Sequence, residues 1–275
     1  MNSFKQQCIE LRKKDYTLPE IVRITGRPKT SVHFHIQDLP LSAEKIKRIR
    51  AAHVRSAIRL AAARRGKSAQ LYKKFSGWNI EIVCLIAHLL FDGELRRAGC
   101  IYNNRNISLL DRVEACMKTI YERAPTRYIN RSTGVSRISY YNVSLAEYLM
   151  EKSKCLLRKI SALDTELQRE FIRSFFDDEG CMDFRIDRGT RRVRGYQKNP
   201  DILRTVQDLL TKFEIESKIT GNEIVIRRKE NLVKFQKQIN FSHGVRINGN
   251  RSNSIWKKSY EKRYLLALAI NSYQH

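Results

Sequence analysis

A chain of 275 residues can bury a substantial core, and its length suggests two units, one of them small. Lys and Arg number 53 against 28 Asp and Glu, a net charge of +25 that points to a polyanionic partner and to binding that weakens steeply with salt. No apolar run approaches the roughly 20 residues a membrane span needs and no signal peptide opens the chain, so nucleic acid is favoured over a membrane surface and a cytoplasmic, nucleoid-associated protein is expected. Cys8, Cys84, Cys100, Cys116, Cys155 and Cys181 are scattered without a CxxC pair, which argues against structural zinc and for reduced thiols.

From Phe4 to Ile36 the pattern predicts three short helices. Cys8 and Leu11 support the first; Thr17 caps the second, with Pro19 in its first turn; Gly26 makes a tight turn; and Pro28 to Ile36 supply the third. Residues 1–41 resemble the helix-turn-helix of small prokaryotic DNA-binding modules, and that resemblance implies a third helix in the major groove. Val32 and Ile36 then face inward, leaving Lys29, Thr30, Ser31 and His33 as groove contacts. Val22 stands where such modules usually place alanine, and a three-helix cap without DNA contact is the competing interpretation.

Residues 42–77 read as a basic helix, Ser42 to Lys67, followed by a linker that includes Gly66-Lys67-Ser68. From Lys45 to Lys67 there are nine basic residues and no acid. Arg48, Arg55 and Arg59 form one stripe that can track phosphates, and Ile46, Ile49, Ala57 and Leu60 form a second that can pack.

Two segments then echo each other: Ile82–Glu94, IVCLIAHLLFDGE, and Phe171–Cys181, FIRSFFDDEGC. Each is an apolar run of helical length ending in an acid and a glycine, Asp92-Gly93 and Glu179-Gly180. The glycine reads as a left-handed helix stop. A carboxylate at the negative pole of a helix costs about 0.3–1 kcal/mol, so an acid placed there twice points to a cation. The flanks repeat too: Gly134 and Gly221 lie 87 residues apart (221 − 134), as do Leu145 and Leu232. A helix with Leu109, Leu110, Val113, Cys116, Met117 and Ile120 on one face returns as Ile202, Leu203, Val206, Leu209, Leu210 and Phe213, offset by 93 (202 − 109). The six extra residues fit a longer hairpin near Arg188-Gly189-Thr190. Met182, Phe184 and Ile186 alternate with Asp183, Arg185 and Asp187 as in a half-buried strand, and Arg192, Arg194 and Tyr196 continue its polar face. That face, beside the acidic helix ends in so basic a chain, reads as DNA-facing. Thr165 to Gln168 fit a capping box for the second signature helix, with Asn79 capping the first. Lys152 to Lys159 read as the link between the halves, and a helix from Tyr260 to Tyr273 is expected to pack on the outside of the second half.

Both segments resemble the signature helices of the LAGLIDADG homing endonucleases, in the two-motif, single-chain form. The resemblance implies an α+β fold: a pseudo-symmetric pair of αββαββα half-domains with curved antiparallel sheets, at residues 78–155 and 156–275, behind an all-α helix-turn-helix domain. It implies that Asp92 and Glu179 hold Mg²⁺, with Mn²⁺ able to substitute, and that both strands of double-stranded DNA are cut, one by each acid-metal site. Ala87 and Ser174 take the small-residue position where the helices cross, while Phe91 stands where many members have a small residue. Asp177 and Asp178 fall out of register with the ligand position. Many members add a basic residue at the end of the last strand of each half; Arg228 or Lys229 matches it in the second half, Lys229 being the candidate catalytic residue, while the first half has Tyr140-Tyr141-Asn142. A monomer without an obligate protein partner is expected. A non-cleaving transcriptional regulator on the same scaffold is the leading alternative and an intron RNA maturase the third. An intein is disfavoured, because the chain begins Met-Asn and ends Tyr-Gln-His.

Overall fold

The computed structural model describes residues 3–64, 71–249 and 255–274. The chain divides into two compact units, Met1–Ala69 and Gln70–His275. In the first, α1 (Ser3–Lys13), α2 (Leu18–Thr25) and α3 (Lys29–Ile36) enclose a small core of Cys8, Ile21, Val32 and Ile36. Glu20 reaches back from the first turn of α2 to accept hydrogen bonds from the Thr17 backbone N–H at 2.6 Å and hydroxyl at 2.7 Å, and Gly26 leaves the helix with φ +64°. The fourth helix, α4 (Ala43–Arg64), starts where Asp15 accepts the Ser42 N–H at 2.8 Å. Its expected packing stripe is only half realised: Ile46 and Ile49 are half-buried, whereas Ala57 and Leu60 are exposed, as are Val54 and Ile58. Three short helices offer it a surface over its first two turns and no more. The expected Gly66-Lys67-Ser68 connector lies outside the described residues.

The second unit repeats one supersecondary pattern. The first half runs α5 (Ile80–Phe91), β1 (Gly93–Arg96), β2 (Gly99–Asn104), α6 (Ile107–Lys118), β3 (Thr126–Asn130), β4 (Val135–Tyr140) and α7 (Val143–Lys159). The second runs α8 (Thr165–Asp178), β5 (Gly180–Arg185), β6 (Thr190–Tyr196), α9 (Pro200–Lys212), β7 (Ser217–Thr220), β8 (Glu223–Ile226) and α10 (Lys229–Gln238), and α11 (Lys262–Asn271) follows. Each half carries a four-stranded antiparallel sheet of the same order, β1-β2-β4-β3 and β5-β6-β8-β7. The expected αββαββα pair is therefore present, preceded by an all-helical region. Opposite Gly93 stands Tyr102, and opposite Gly180 stands Gly195, so the second hairpin is longer by six residues, (195 − 180) − (102 − 93). A short 3-10 turn at Ile186–Arg188 and Gly189 at φ +60° take up the excess.

Several local expectations change. Gly93 and Gly180 are glycines for closeness, not for a left-handed turn: neither has positive φ, and a Cβ would meet Leu89 O at 2.4 Å or Phe176 O at 2.5 Å. Strand alternation stops at Arg185, because the hairpin turns there, and Ile186 is 63% exposed. Lys152 to Lys159 are no link but the end of α7, held by buried Ser153, Leu156 and Ile160; the connection is residues 160–164, so the 155/156 boundary falls inside a helix. The N-cap position of the second signature helix is Asp164, one residue early and without a side-chain cap hydrogen bond, which puts Gln168 past the capping-box position. Its amide instead donates to Leu163 O at 2.6 Å and Ser161 O at 3.2 Å.

The core is continuous across both halves, and the close packing of α5 on α8 lies at its middle. Asn79 caps α5 by accepting the Ile82 N–H at 2.8 Å. Ala87 and Ser174 are wholly buried. A larger side chain at that crossing has nowhere to go. Ser174→Leu is expected to destabilise the chain by about 1–3 kcal/mol through overpacking, seen as a lower midpoint of urea unfolding; an unchanged midpoint would mean that the helices part freely.

Candidate metal and nucleic-acid site

Asp92 and Glu179 each follow the last residue of a signature helix, their N–H groups closing on His88 O at 3.2 Å and Phe175 O at 2.9 Å. Both carboxylates stand at the negative pole of their helix. Each meets a side-chain amide from the end of the second strand of its own half, Asn104 the last residue of β2 and Gln197 the residue after β6. Asn104 Nδ2 donates to Asp92 Oδ2 at 2.9 Å, and Gln197 Nε2 donates to Glu179 Oε1 at 3.4 Å. Those amides are repeat partners, 93 residues apart (197 − 104), and their own oxygens accept the N–H groups of Asn106 at 2.9 Å and Asn199 at 3.2 Å. Sequence reasoning passed over both, although the 93-residue offset could have paired them.

Behind the acids the two halves differ. Asp178 turns into the first half, where its Oδ2 meets His88 Nδ1 at 2.8 Å and its Oδ1 accepts the Tyr102 hydroxyl at 2.6 Å. Its side chain and that of His88 are fully buried. The repeat partner of Asp178 is Phe91 (178 − 87), which lies edge-on to Phe171 and Phe175, ring centroids 5.4 and 5.3 Å away. Asp177 also faces inward, accepting the Ser242 N–H at 2.9 Å. Asp177 and Asp178, out of register with the ligand position, are thus two buried, bonded carboxyls. Their sequence neighbours carried no sign of it, because the partners lie 65 to 90 residues away.

The electrostatics are those of too much negative charge in too little water. Burial first, then Asp178 and Glu179, push the Asp92 carboxyl up to about 8; burial and Asp178 push Glu179 up to about 7. One cation offsets both. Lys262, the first residue of α11, is buried and donates to Asp177 O at 2.6 Å and Phe176 O at 3.2 Å, satisfying two carbonyls at the end of α8. Burial lowers its pKa. So α11 does not merely cover the second half: it inserts an ammonium beneath the acids. Burial opposes the charged form of His88, yet the Asp178 carboxylate holds its pKa well above the usual value.

Lys229, by contrast, does not reach the site. β8 pairs its first residues, Glu223 and Ile224, with Tyr196 and Gly195 beside Glu179, and then runs away, carrying Arg228 and Lys229 to its far end. Arg228 is exposed there and pairs with Glu216 at 3.3 Å. The cation near the acids comes instead from outside the repeat.

An open cavity of about 1230 Å³ adjoins these groups, lined from both halves and the C-terminal segment, among them Asp92, Asn104, Asp178, Arg185, Arg246 and Lys262. On the second sheet, Asp183, Arg185, Arg192 and Arg194 share the face opposite buried Met182, Phe184 and Val193. Arg192 pairs with Asp183 at 2.8 Å and Arg194 with Glu223 at 3.0 Å, so a phosphate would compete with internal carboxylates for them. Tyr196 is exposed, and Asp187 is exposed in the turn beside Arg188. On the first sheet the row Tyr128, Arg137 and Asn103 has the equivalent place, with Arg137 donating to Asn103 at 2.8 Å. That row was not foreseen, although Asn103 is the 93-residue partner of Tyr196. In the N-terminal unit Lys29, Thr30, Ser31 and His33 are exposed on α3, and Arg48, Arg55 and Arg59 on α4.

Among the described residues no group of three or more His, Cys, Asp or Glu is arranged to hold an ion. A cation here would have the two carboxylates Asp92 and Glu179 and would complete its shell from water and phosphate, a donor set that suits Mg²⁺. Hard oxygen ligands and a negative charge that Lys262 offsets only in part fit such an ion. Among the described residues no helix is long and apolar enough to cross a membrane.

Residues 166–240, from the first turn of α8 to just beyond α10, match the family model described as a LAGLIDADG-like domain. The fold is similar to solved structures of variants of the homing endonuclease I-DmoI, 18% identical with a TM-score of 0.46, covering 60% of this chain and 93% of that one. It is also similar to I-DmoI in complex with DNA and Mn, 17% identical, TM-score 0.45, over 60% and 99% of the two chains. The N-terminal LAGLIDADG domain of DUF199/WhiA is 16% identical, TM-score 0.46, over 62% and 88%. No curated protein matches the sequence.

Asp92 and Glu179 keep protons in the fold up to about 8 and about 7 that they lose near 4 when unfolded, so the unfolded chain binds fewer protons and stability falls as pH rises from about 4 to about 8. In EDTA the melting temperature is expected to fall by several degrees between pH 5 and 8, and Asp92→Asn with Glu179→Gln to flatten that slope. A slope unchanged by the double substitution would show that other groups carry it.

Proposed function

We propose that this two-motif LAGLIDADG chain is a metal-dependent, site-specific double-strand DNA endonuclease of the homing type. The observation that carries the proposal is the pair of half-buried carboxyls, Asp92 and Glu179, both raised by burial and by Asp178, each at a helix tip and each met by an amide from its own half. They would hold Mg²⁺, or Mn²⁺ in its place; when bound, such an ion supplies an acidified water and offsets the charge building on phosphate. The chain's own part is positional. Asn104 and Gln197 aim the carboxylates, Lys262 keeps the end of α8 from repelling them further, and burial limits competing water.

The excess of +25 supplies affinity along the backbone. Asp183, Arg185, Asp187, Arg192, Arg194 and Tyr196 are proposed to contact DNA from the second sheet, and Asn103, Tyr128 and Arg137 from the first. Residues 1–41 are proposed as a helix-turn-helix with Lys29, Thr30, Ser31 and His33 in the groove, and residues 42–77 as a basic arm whose Arg48, Arg55 and Arg59 meet phosphates. The halves would occupy residues 78–159 and 165–275, and the chain would act as a monomer. One observation favours the second reading, a regulator that binds without cutting: Lys262 already places a positive charge within reach of both acids.

A duplex selected from a randomised pool by binding to the full chain separates the two. In Mg²⁺ the parent is expected to cut both strands, and Asp92→Asn or Glu179→Gln to slow cutting by at least about 100-fold while binding persists. Tight binding with no cutting in Mg²⁺ or Mn²⁺ would establish the regulator. Replacing Arg48, Arg55 and Arg59 together by Ala is expected to lower the slope of log affinity against log salt by about 2.7, roughly 0.9 for each lost phosphate contact; an unchanged slope would remove α4 from the interface.

A further inference from the structure

The repeat permits a residue-by-residue comparison of the two acid centres. Offsets of 87 before the hairpins and 93 after them carry Asp92 to Glu179 and Asn104 to Gln197, with the roles intact. The same offsets carry His88 to Phe175, Tyr102 to Gly195 and Asp178 back to Phe91, and there the chemistry changes. In the first half those three positions make a hydrogen-bonded chain: His88 to Asp178 at 2.8 Å, Tyr102 to Asp178 at 2.6 Å, and Asn104 to the Tyr102 oxygen at 3.2 Å. In the second half they are apolar. Phe91 lies against Phe175, and the Phe175 ring fills the place where a Gly195 Cβ would stand, 2.5 Å away.

We propose that His88, Asp178 and Tyr102 are positioning residues for Asp92, and that they make the two centres unequal, the strand served through Asp92 being hydrolysed first. The inference rests on the nuclease reading above. Its physical basis is rotamer freedom. Asn104 is held from behind by the Tyr102 hydroxyl, which is itself tied to a carboxylate fixed by His88, so the 2.9 Å bond to Asp92 is aimed by a rigid chain. Gln197 and Glu179 each have one more rotatable bond, meet at 3.4 Å, and have Gly195 at the position that Tyr102 holds in the first half. Asp178, both of whose oxygens are committed, serves as a brace and not as a ligand. Asp92 also lines the open cavity, whereas Glu179 is not among its lining residues.

Strand-resolved cutting tests this with the selected duplex, each strand labelled at its 5′ end, in Mg²⁺. The parent is expected to cut one strand at least about tenfold faster than the other. Tyr102→Phe, which removes one oxygen and keeps the ring against His88, is expected to slow the faster strand by about tenfold and to leave the slower one within about twofold. A merely structural role would slow both. Asp178→Asn, of unchanged size, is expected to act on the same strand. Independently of cutting, the Asn104 side-chain amide, followed by NMR in the metal-free protein, should exchange with solvent faster in Tyr102→Phe than in the parent. Equal strand rates in the parent, a defect shared by both strands, no defect at all, or an unchanged Asn104 exchange rate would each overturn the proposal while the nuclease reading stands. No cutting by the parent would overturn that reading and the proposal with it.

Discussion

Everything at the centre of this protein depends on two helices, α5 and α8, approaching closely enough that the acids at their tips share one poorly hydrated place. The two helices carry the wholly buried small residues Ala87 and Ser174, and the glycines at 93 and 180 let the chain turn out of each helix, where any Cβ would strike a carbonyl oxygen of the preceding helical turn. The cost is electrostatic. Two carboxylates lose water and face the negative ends of their helices, so their protonated forms are favoured until positive charge arrives. Lys262 supplies part of that charge from outside the repeat.

The repeat gives the site its symmetry, and the residues behind the acids break it. The acids and their amide partners occupy matching positions, so the acidic ends of both halves are alike. The layer behind them is not. His88 and Asp178 stand where Phe175 and Phe91 stand on the other side, which exchanges an aromatic contact for an ionic one at a single crossing. An ionic contact buried this deeply is retained at a desolvation cost. It makes self-pairing of either helix unfavourable, since two copies of α8 would bury each Asp178 against a phenylalanine.

Much of this fold was legible in the residues. The echo of Ile82–Glu94 in Phe171–Cys181, the constant offsets and the longer second hairpin predicted both halves and their sheets, because period and spacing are local properties that survive folding. Where expectation failed, tertiary contacts decided. Lys152 to Lys159 look like a link by charge, yet Leu156 and Ile160 tie them into α7. Lys229 looked suitable by position in its strand, but the strand runs outward from Glu179. Lys262 follows Glu179 by 83 residues (262 − 179) and sits at the start of an apolar helix, so no motif marked it. The glycines were the right residues for a different reason, closeness in place of a left-handed turn.

The central claim, that the paired helix tips form one cation site facing nucleic acid, is open to direct observation. Crystals grown with Mn²⁺ and the selected duplex can be measured at a wavelength where manganese scatters anomalously. The account predicts a manganese peak in contact with the carboxylates of Asp92 and Glu179 and with a phosphate of the bound DNA. Peaks only elsewhere, or DNA bound with Lys262 as the sole cation between the two acids, would contradict it.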